Sequence, residues 1–164
     1  MHTFDVKPLA LFPRHWQQAA EWACAAWQHE FPDDTVQTYL DQYALAASNS
    51  GRLLEVHAVI TAQDELLGLG TLVDDDDLPG ATEPGPWLAS VYVTPNARQA
   101  GIGSTIVQHI VDRSRELGYS SLYLYTTNQQ DWYLSKGWVR VRETLLNNLA
   151  HTVMRLDIAS QLVD

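Results

Sequence analysis

The residues best suited to chemistry lie between Val91 and Ser104, where a strand-like run ends at Pro95 and a glycine-containing loop opens a long amphipathic helix. The first turn of a helix has backbone N–H groups without intrahelical partners and carries the positive end of the helix dipole. Gly101 and Gly103 permit positive φ angles and a close approach of a ligand to the main chain. The pattern predicts an anion cradle and a ligand that carries phosphate groups.

The spacing of this loop excludes two common phosphate sites. A P-loop needs a lysine directly after its second glycine, whereas Ser104 follows Gly103 here. A dinucleotide fingerprint needs a third glycine where this chain has Ile106. What remains is an R-x-x-G-x-G loop, and the short motif by itself leaves an ordinary strand-to-helix turn as an alternative. The loop reads Arg98-Gln99-Ala100-Gly101-Ile102-Gly103.

This loop and its lead-in, Val91 to Pro95, resemble the acetyl-CoA pyrophosphate loop and central strand of the GNAT-type N-acetyltransferases. The resemblance implies that pantetheine inserts between two splayed strands and that backbone groups of Val91 and Val93 pair with its amides. It also implies that N–H groups from Gln99 to Ser104 hold the pyrophosphate. The residues implied to bind acetyl-CoA are Val91, Tyr92, Val93, Arg98, Gln99, Ala100, Gly101, Ile102, Gly103, Ser104 and Tyr133.

A second segment, from Gln130 to Trp138, resembles the family's Phe-Tyr-x-x-x-Gly-Phe pattern, with Trp132 and Trp138 in the aromatic places. In that family the tyrosine lies beside the CoA sulfur and protonates the leaving thiolate. The resemblance therefore implies that Tyr133 is the general acid. The alternative is a tyrosine half-buried by packing on the sheet, with its hydroxyl in water.

The general base stays open, because the central strand Trp87–Val93 has no glutamate, whereas some relatives place a base there. A base or a water chain is nevertheless required, since an ammonium group is not nucleophilic. Each of the hydrogen-bonding groups that could order such a water is better explained as structural or solvated. They are Ser90, Tyr92, His57, Glu30 and Asp33.

We expect the acceptor to be recognised by the segment from Trp27 to Thr35 and by the final hairpin near Leu145 to Ala150. The first segment combines aromatic and acidic side chains, which suit a small cationic amine through cation–π contacts and charge pairing. A helix end with acidic caps explains the same residues equally well. A protein N-terminus or a lysine stays open as acceptor, as does a non-catalytic acyl-CoA-binding sensor or regulatory module, motivated by the absent strand glutamate.

The charge and composition of the chain argue against several classes of protein. Its net charge of -10 argues against a nucleic-acid partner, although the run Asp74 to Asp77 reads as a solvated turn and weakens any inference from charge. No apolar run is long enough to span a bilayer, no signal peptide is visible, and the single Cys24 suits a reducing cytosol. We expect a cytoplasmic enzyme without a metal site, with a homodimer possible but not required.

Hydrophobic periodicity predicts one domain over residues 1–164, with the element order β-α-α-β-β-β-α-β-α-β-β. The first helix is predicted from Pro13 to about Glu30, and a second from Thr35 to about Ala47 with Asp34 as its cap. The fold class is α+β. With the resemblance, we expect a GNAT-like mixed central sheet whose central strands, Trp87–Val93 and Ser121–Tyr125, splay apart between flanking helices.

Overall fold

The computed structural model describes residues 3–48 and 50–158. In those residues the elements follow the predicted order. The strands are β1 Phe4–Pro8, β2 Leu54–Thr61, β3 Leu66–Val73, β4 Trp87–Val93, β5 Ser121–Thr126, β6 Val139–Leu146 and β7 Leu149–Asp157. The helices are α1 Trp16–Trp27, α2 Val36–Ala47, α3 Ile102–Glu116 and α4 Gln130–Leu134, and short 3₁₀ turns cover Leu9–Leu11, Pro13–His15 and Pro95–Ala97.

The strands form one seven-stranded mixed sheet in the order β1-β2-β3-β4-β5-β7-β6. All neighbouring pairs are antiparallel except β4 and β5, which are parallel and pair only at Trp87 and Tyr123. Beyond that point the two strands diverge. The predicted splay between the central strands is therefore confirmed, and it opens a gap in the middle of the sheet.

Helices cover both faces of the sheet, because its strands bury side chains on alternate faces. On one face α3 packs its apolar stripe, centred on Ile106 and Ile110, against Val59, Leu72 and Leu122. The small residue Gly70 on β3 permits this approach, since a Cβ there would lie 2.9 Å from the Ile110 Cδ1 and would overlap the Ile106 side chain.

The opposite face is covered by α1 and α2. The small face of α1, including Ala19, Ala20 and Ala23, packs with the tyrosines of α2 against Val56 and Ala58 of β2. This packing fixes where α1 ends, and so it fixes the segment between α1 and α2 that was expected to recognise the acceptor.

Two local predictions are corrected by the structure. The first helix is shorter than expected, because Pro13–His15 is a separate 3₁₀ turn and α1 begins at Trp16. The cap of α2 is Thr35 rather than Asp34. The Thr35 hydroxyl accepts the Thr38 N–H at 3.4 Å and the Thr38 hydroxyl accepts the Thr35 N–H at 3.0 Å, a reciprocal arrangement that Asp34 is one residue too early to make.

Candidate active site

The gap between β4 and β5 opens into a cavity of about 850 Å³. Its walls come from the end of α1, the segment after it, β4, the first turn of α3, β5 and α4, so it runs from one edge of the splay to the other. Every residue that the resemblance assigns to acetyl-CoA lines this cavity except Ala100. Those residues are Val91, Tyr92, Val93, Arg98, Gln99, Gly101, Ile102, Gly103, Ser104 and Tyr133.

One end of the cavity is the first turn of α3. Gly101 precedes the helix with a φ of 76°, in the left-handed region that glycine adopts without strain, and no side chain caps the helix. The first intrahelical bond runs from the Thr105 N–H to the Gly101 carbonyl at 3.0 Å. The N–H groups of Ile102, Gly103 and Ser104 precede that bond, so they are free of intrahelical acceptors and can serve an anion.

Arg98 ties the loop back to β4. Its Nε donates to the Val93 carbonyl at 3.0 Å, and its guanidinium lies 5.7 Å from the centre of the Tyr92 ring. The neighbouring Gln99 has a φ of 74°, which turns the chain toward α3. These contacts hold a positive charge beside the helix N-terminus, where it would complement phosphate groups.

The middle of the cavity is formed by β4. Ser90 has a φ of 52°, and the pairing with β3 shifts register between Leu69 and Thr71. This bulge, which the sequence did not signal, bends β4 at the point where it leaves β5. Past it, the edge of β4 that faces β5 has no strand partner within residues 3–48 and 50–158, and a substrate amide chain could pair there.

Tyr133 lies on the far wall, on α4. Its ring makes edge contacts with Trp132 and Trp138 at centroid distances of 4.9 Å and 5.5 Å. Burial raises the pKa of the Tyr133 hydroxyl to about 12, so the group keeps its proton at neutral pH. The hydroxyl has no hydrogen-bond partner among the residues the structure describes, and it is free to serve a group that enters the cavity.

The other end of the cavity is acidic and aromatic. Glu30 and Asp76 line it together with Trp27, Phe31 and Tyr125. The Tyr125 hydroxyl donates to the Asp76 main-chain carbonyl at 3.0 Å. Trp27, Glu30 and Phe31 belong to the segment from Trp27 to Thr35 that was expected to recognise the acceptor, and that role stays a prediction.

The predicted solvated turn is wrong for one member of the aspartate run. Asp76 is partly buried and lines the cavity, while Asp74, Asp75 and Asp77 are exposed. Loss of hydration raises the pKa of Asp76 well above its ordinary value, and the charge of Asp77 adds to the effect. A run of four identical residues carries no periodic signal that could single out its third member.

The final hairpin contacts Glu30 at this end of the cavity. The Asn147 amide donates to the Glu30 main-chain carbonyl, and the buried His151 places its Nε2 3.6 Å from Glu30 Oε2. Asn147 and Asn148 have φ angles of 50° and 66°, which suit a two-residue hairpin turn. No residue from 145 to 150 lines the cavity, and the part of this hairpin in acceptor recognition stays a prediction. His151 itself was not singled out from the sequence.

Three of the five residues that could order a water molecule line the cavity, and two do not. Glu30, Ser90 and Tyr92 line the cavity, whereas Asp33 is exposed and outside it. His57 belongs to a different cluster, where it contacts Glu55. Within the described ranges, no group of three or more His, Cys, Asp or Glu side chains is arranged to hold a metal ion.

The cavity fits the cosubstrate that the resemblance implies. It offers three free N–H groups and one arginine at one end, an unpaired strand edge in the middle, and a protonated tyrosine beyond that edge. Such groups are chemically suited to the pyrophosphate, the pantetheine amides and the thioester of acetyl-CoA. No helix in the described parts of the chain is long and apolar enough to cross a membrane.

Comparisons with known proteins agree with this geometry. A curated relative is the amino-acid acetyltransferase of Neisseria meningitidis serogroup A, 32% identical over 56 residues, which are 34% of this chain and 13% of the relative. The chain thus matches about an eighth of that relative's length. Solved structures with the same fold include a spermidine N-acetyltransferase chimera from Vibrio cholerae and hSSAT (TM-score 0.71, 15% identity, covering 94% of this chain and 95% of that one).

A second solved structure is N-acetylglutamate synthase from Neisseria gonorrhoeae in complex with coenzyme A and N-acetyl-glutamate, with a TM-score of 0.69 and 16% identity, covering 96% of this chain and 35% of that one. At these identities the two structures show the fold alone. The sequence profile described as the acetyltransferase (GNAT) family matches residues 16–134, which is more than half of the chain. This match and the shared fold show that the chain belongs to the GNAT family of acetyltransferases.

Proposed function

We propose that the protein transfers an acetyl group from acetyl-CoA to the primary amine of a small cationic molecule by direct attack of the amine on the thioester. One observation carries the proposal: a single cavity joins an anion cradle at the start of α3 to an acidic and aromatic wall formed by Trp27, Glu30, Phe31 and Asp76. Tyr133 lines the same cavity. Such a cavity can hold an anionic donor and a cationic acceptor together.

The donor is held mainly by the main chain in this proposal. The N–H groups from Gln99 to Ser104 and the charge of Arg98 bind the pyrophosphate, and backbone groups of Val91 and Val93 pair with the pantetheine amides. A main-chain N–H of β4 polarises the thioester carbonyl. Because these donors are fixed by the fold, they cost little reorganisation when charge develops on the carbonyl oxygen.

Tyr133 is the general acid in the proposal. Its pKa of about 12 means that it holds a proton at neutral pH, and its hydroxyl has no competing hydrogen bond among the described residues. As the carbon–sulfur bond breaks, the Tyr133 hydroxyl donates this proton to the thiolate.

The charge of the cavity supports a cationic acceptor over an amino acid. Arg98 is the only lysine or arginine among the described lining residues, and it lies at the cradle end. An acceptor carboxylate would therefore meet Glu30 and Asp76 without a cation to balance it. A polyamine or an aminosugar would bring positive charge to the same carboxylates.

The test is release of CoA thiol from acetyl-CoA with a panel of spermidine, an aminoglycoside, L-glutamate and an N-terminal peptide, with Tyr133→Phe alongside. Turnover of a cationic amine, reduced in the variant, supports the proposal. Turnover of L-glutamate alone or of the peptide alone would replace the proposed acceptor class. Saturable binding of acetyl-CoA without turnover of any acceptor would favour a non-catalytic acyl-CoA-binding module instead.

We also propose a cytoplasmic location, where acetyl-CoA is made available to such enzymes. The single Cys24 has no cysteine in the chain to pair with, which suits a reducing compartment. A homodimer is compatible with this proposal but is not needed for it, because every residue named above comes from one chain.

A further inference from the structure

The buried His151 and the partly exposed Glu30 face each other at the acidic end of the cavity. His151 is 1% exposed and its Nε2 lies 3.6 Å from Glu30 Oε2. Glu30 lines the cavity, and His151 lies behind it on β7. The Tyr125 ring packs edge-on against the imidazole at a centroid distance of 5.4 Å, which fixes the plane of the ring.

The hydrogen bond on the other ring nitrogen determines where His151 carries its proton. His151 Nδ1 lies 2.9 Å from the Leu149 carbonyl oxygen, which can only accept. Nδ1 is therefore the N–H nitrogen, and Nε2 of the neutral ring presents a lone pair. Nε2 is fully buried and has no hydrogen-bond partner. One proton between His151 Nε2 and Glu30 Oε2 would therefore satisfy both atoms.

The surroundings of Glu30 supply no permanent positive charge. No lysine or arginine in residues 3–48 and 50–158 forms an ion pair with it. Asp76 on the β3–β4 segment, Tyr125 on β5 and Tyr39 on α2 also lie within electrostatic reach of Glu30, and none of them carries a positive charge. An ammonium group that enters the cavity would bring both a proton and a positive charge to this pair.

We propose that Glu30 is the group that takes the proton of the acceptor ammonium, and that His151 is a positioning residue that holds the Glu30 carboxylate and shares this proton. The proposal rests on the proposed function and identifies the base that the central strand does not provide. A residue before α2, supported from the final hairpin, thus replaces a glutamate on β4.

The steps balance. The ammonium nitrogen loses one proton to Glu30, and its lone pair then forms the carbon–nitrogen bond at the thioester carbonyl. When the carbon–sulfur bond breaks, Tyr133 protonates the thiolate. The nitrogen loses a second proton as the amide forms, and this proton restores Tyr133. The proton on Glu30 passes to solvent before the next cycle. The products are the N-acetylated amine, free CoA thiol and one released proton.

The first test compares Glu30→Gln with Glu55→Gln, a matched glutamate that does not line the cavity. Rates are measured with spermidine, an aminoglycoside and L-glutamate over a range of pH. For each acceptor that the wild type acetylates, we expect kcat/KM of Glu30→Gln to fall about 100-fold at pH 7, the range of a lost general base. The deficit should shrink toward pH 10, where an alkylamine loses its proton unaided, at a pKa of about 10.

Glu55→Gln should keep the wild-type rate. A Glu30→Gln deficit that is the same at every pH, or no deficit at all, would overturn the assignment of the base and leave the proposed function standing. If the wild type acetylates none of the acceptors, the proposed function fails and the base assignment falls with it. Unchanged thermal stabilisation of Glu30→Gln by acetyl-CoA shows that the variant is folded and still binds the donor.

The positioning role is tested by His151→Asn. The asparagine amide can still donate to the Leu149 carbonyl, but the variant has no ring nitrogen facing Glu30. We expect a loss of about tenfold in kcat/KM with the same pH dependence as Glu30→Gln and an unchanged KM for acetyl-CoA. Nitrogen NMR of the histidine rings gives a readout independent of turnover. The His151 signals should report a proton on Nδ1 in the wild type, and those of Nε2 should change in Glu30→Gln. Identical ring signals in the two proteins would contradict the contact.

Discussion

His57 and His151 are both buried and both face a glutamate, but only the His57 pair is completed by a cation. His57 Nε2 lies 3.0 Å from Glu55, and Arg113 donates to the same carboxylate through Nε at 2.9 Å and Nη2 at 2.9 Å. The hydrogen bond from His57, followed by that from Arg113, lowers the pKa of Glu55 to about 2. Glu30 has no such arginine in the described residues and borders the cavity.

The two histidine–glutamate pairs show that the same two residue types can have different roles. A carboxylate that shares a fixed cation stays ionised at neutral pH and joins elements of the fold, here β2 and α3. A carboxylate without a cation stays available to a proton or an ammonium group that arrives from outside. Changes at the His57 cluster should therefore alter stability without altering rate, whereas changes at Glu30 and Tyr133 should alter rate with little effect on stability.

The largest effect is expected on the cavity side, from Tyr133→Phe. Removal of the proton donor should lower kcat about 100-fold, while the ring and its contacts with Trp132 and Trp138 remain and the melting temperature changes little. The matched control is Tyr119→Phe, because Tyr119 is exposed and outside the cavity. Steady-state kinetics and thermal unfolding check both variants. Equal rates for Tyr133→Phe and the wild type would remove the general acid from the proposal.

For Glu55→Gln we expect a loss of stability and an unchanged rate. We expect a loss of about 2 kcal/mol in the free energy of unfolding at pH 7, from the lowered pKa of Glu55 after allowance for its partial exposure. Because the folded pKa is lowered from 4.5 to about 2, this stabilisation is complete above pH 4.5 and is lost as the pH falls toward 2. Urea unfolding of both proteins should therefore differ at pH 7 and converge near pH 2. A variant as stable as the wild type at pH 7 would contradict the structural role of the cluster.

A smaller effect of opposite sign is expected for Asp76→Asn. The folded pKa of Asp76 is raised above the ordinary 3.8, mainly by loss of hydration, so the ionised carboxylate opposes folding and the native state loses stability as the pH rises through that range. The uncharged amide should raise the melting temperature at pH 7 by less than Glu55→Gln lowers it. Thermal scans at pH 7 and pH 3.5 check the sign, because the gain should vanish at the lower pH. A loss of stability at pH 7 would show that the Asp76 charge has a partner.

The smallest effect is expected for Asn147→Gly, which keeps the positive φ of the turn but removes the amide that donates to the Glu30 carbonyl. The loss of one hydrogen bond of about 1 kcal/mol should raise the KM for the amine about fivefold and leave the KM for acetyl-CoA unchanged. Asn148→Gly is the matched control, since it changes the same turn without that contact. Equal KM values for the two variants would mean that the hairpin does not position Glu30.

Most of the fold was predictable because its signals are local. The apolar stripe of α3, the apolar and β-branched runs of the strands and the two-asparagine turn each depend on residues close in the chain, and the predicted order of elements is confirmed. The cap of α2 was assigned one residue too early, because Asp34 and Thr35 are both good caps and only the partner Thr38 distinguishes them. The bulge at Ser90 had no signal, since serine gives no indication of a positive φ.

The sequence by itself predicted the proposed donor half of the site, because the R-x-x-G-x-G loop and Tyr133 lie in continuous segments that resemble motifs of the family. Only the tertiary structure indicated the proposed acceptor half. Glu30, Asp76 and His151 come from three segments far apart in the chain and meet because α1, the β3–β4 segment and the last hairpin converge at the end of the splay. The charge balance around a carboxylate depends on such neighbours in space. No local pattern could therefore show that Glu55 has a cation and that Glu30 lacks one.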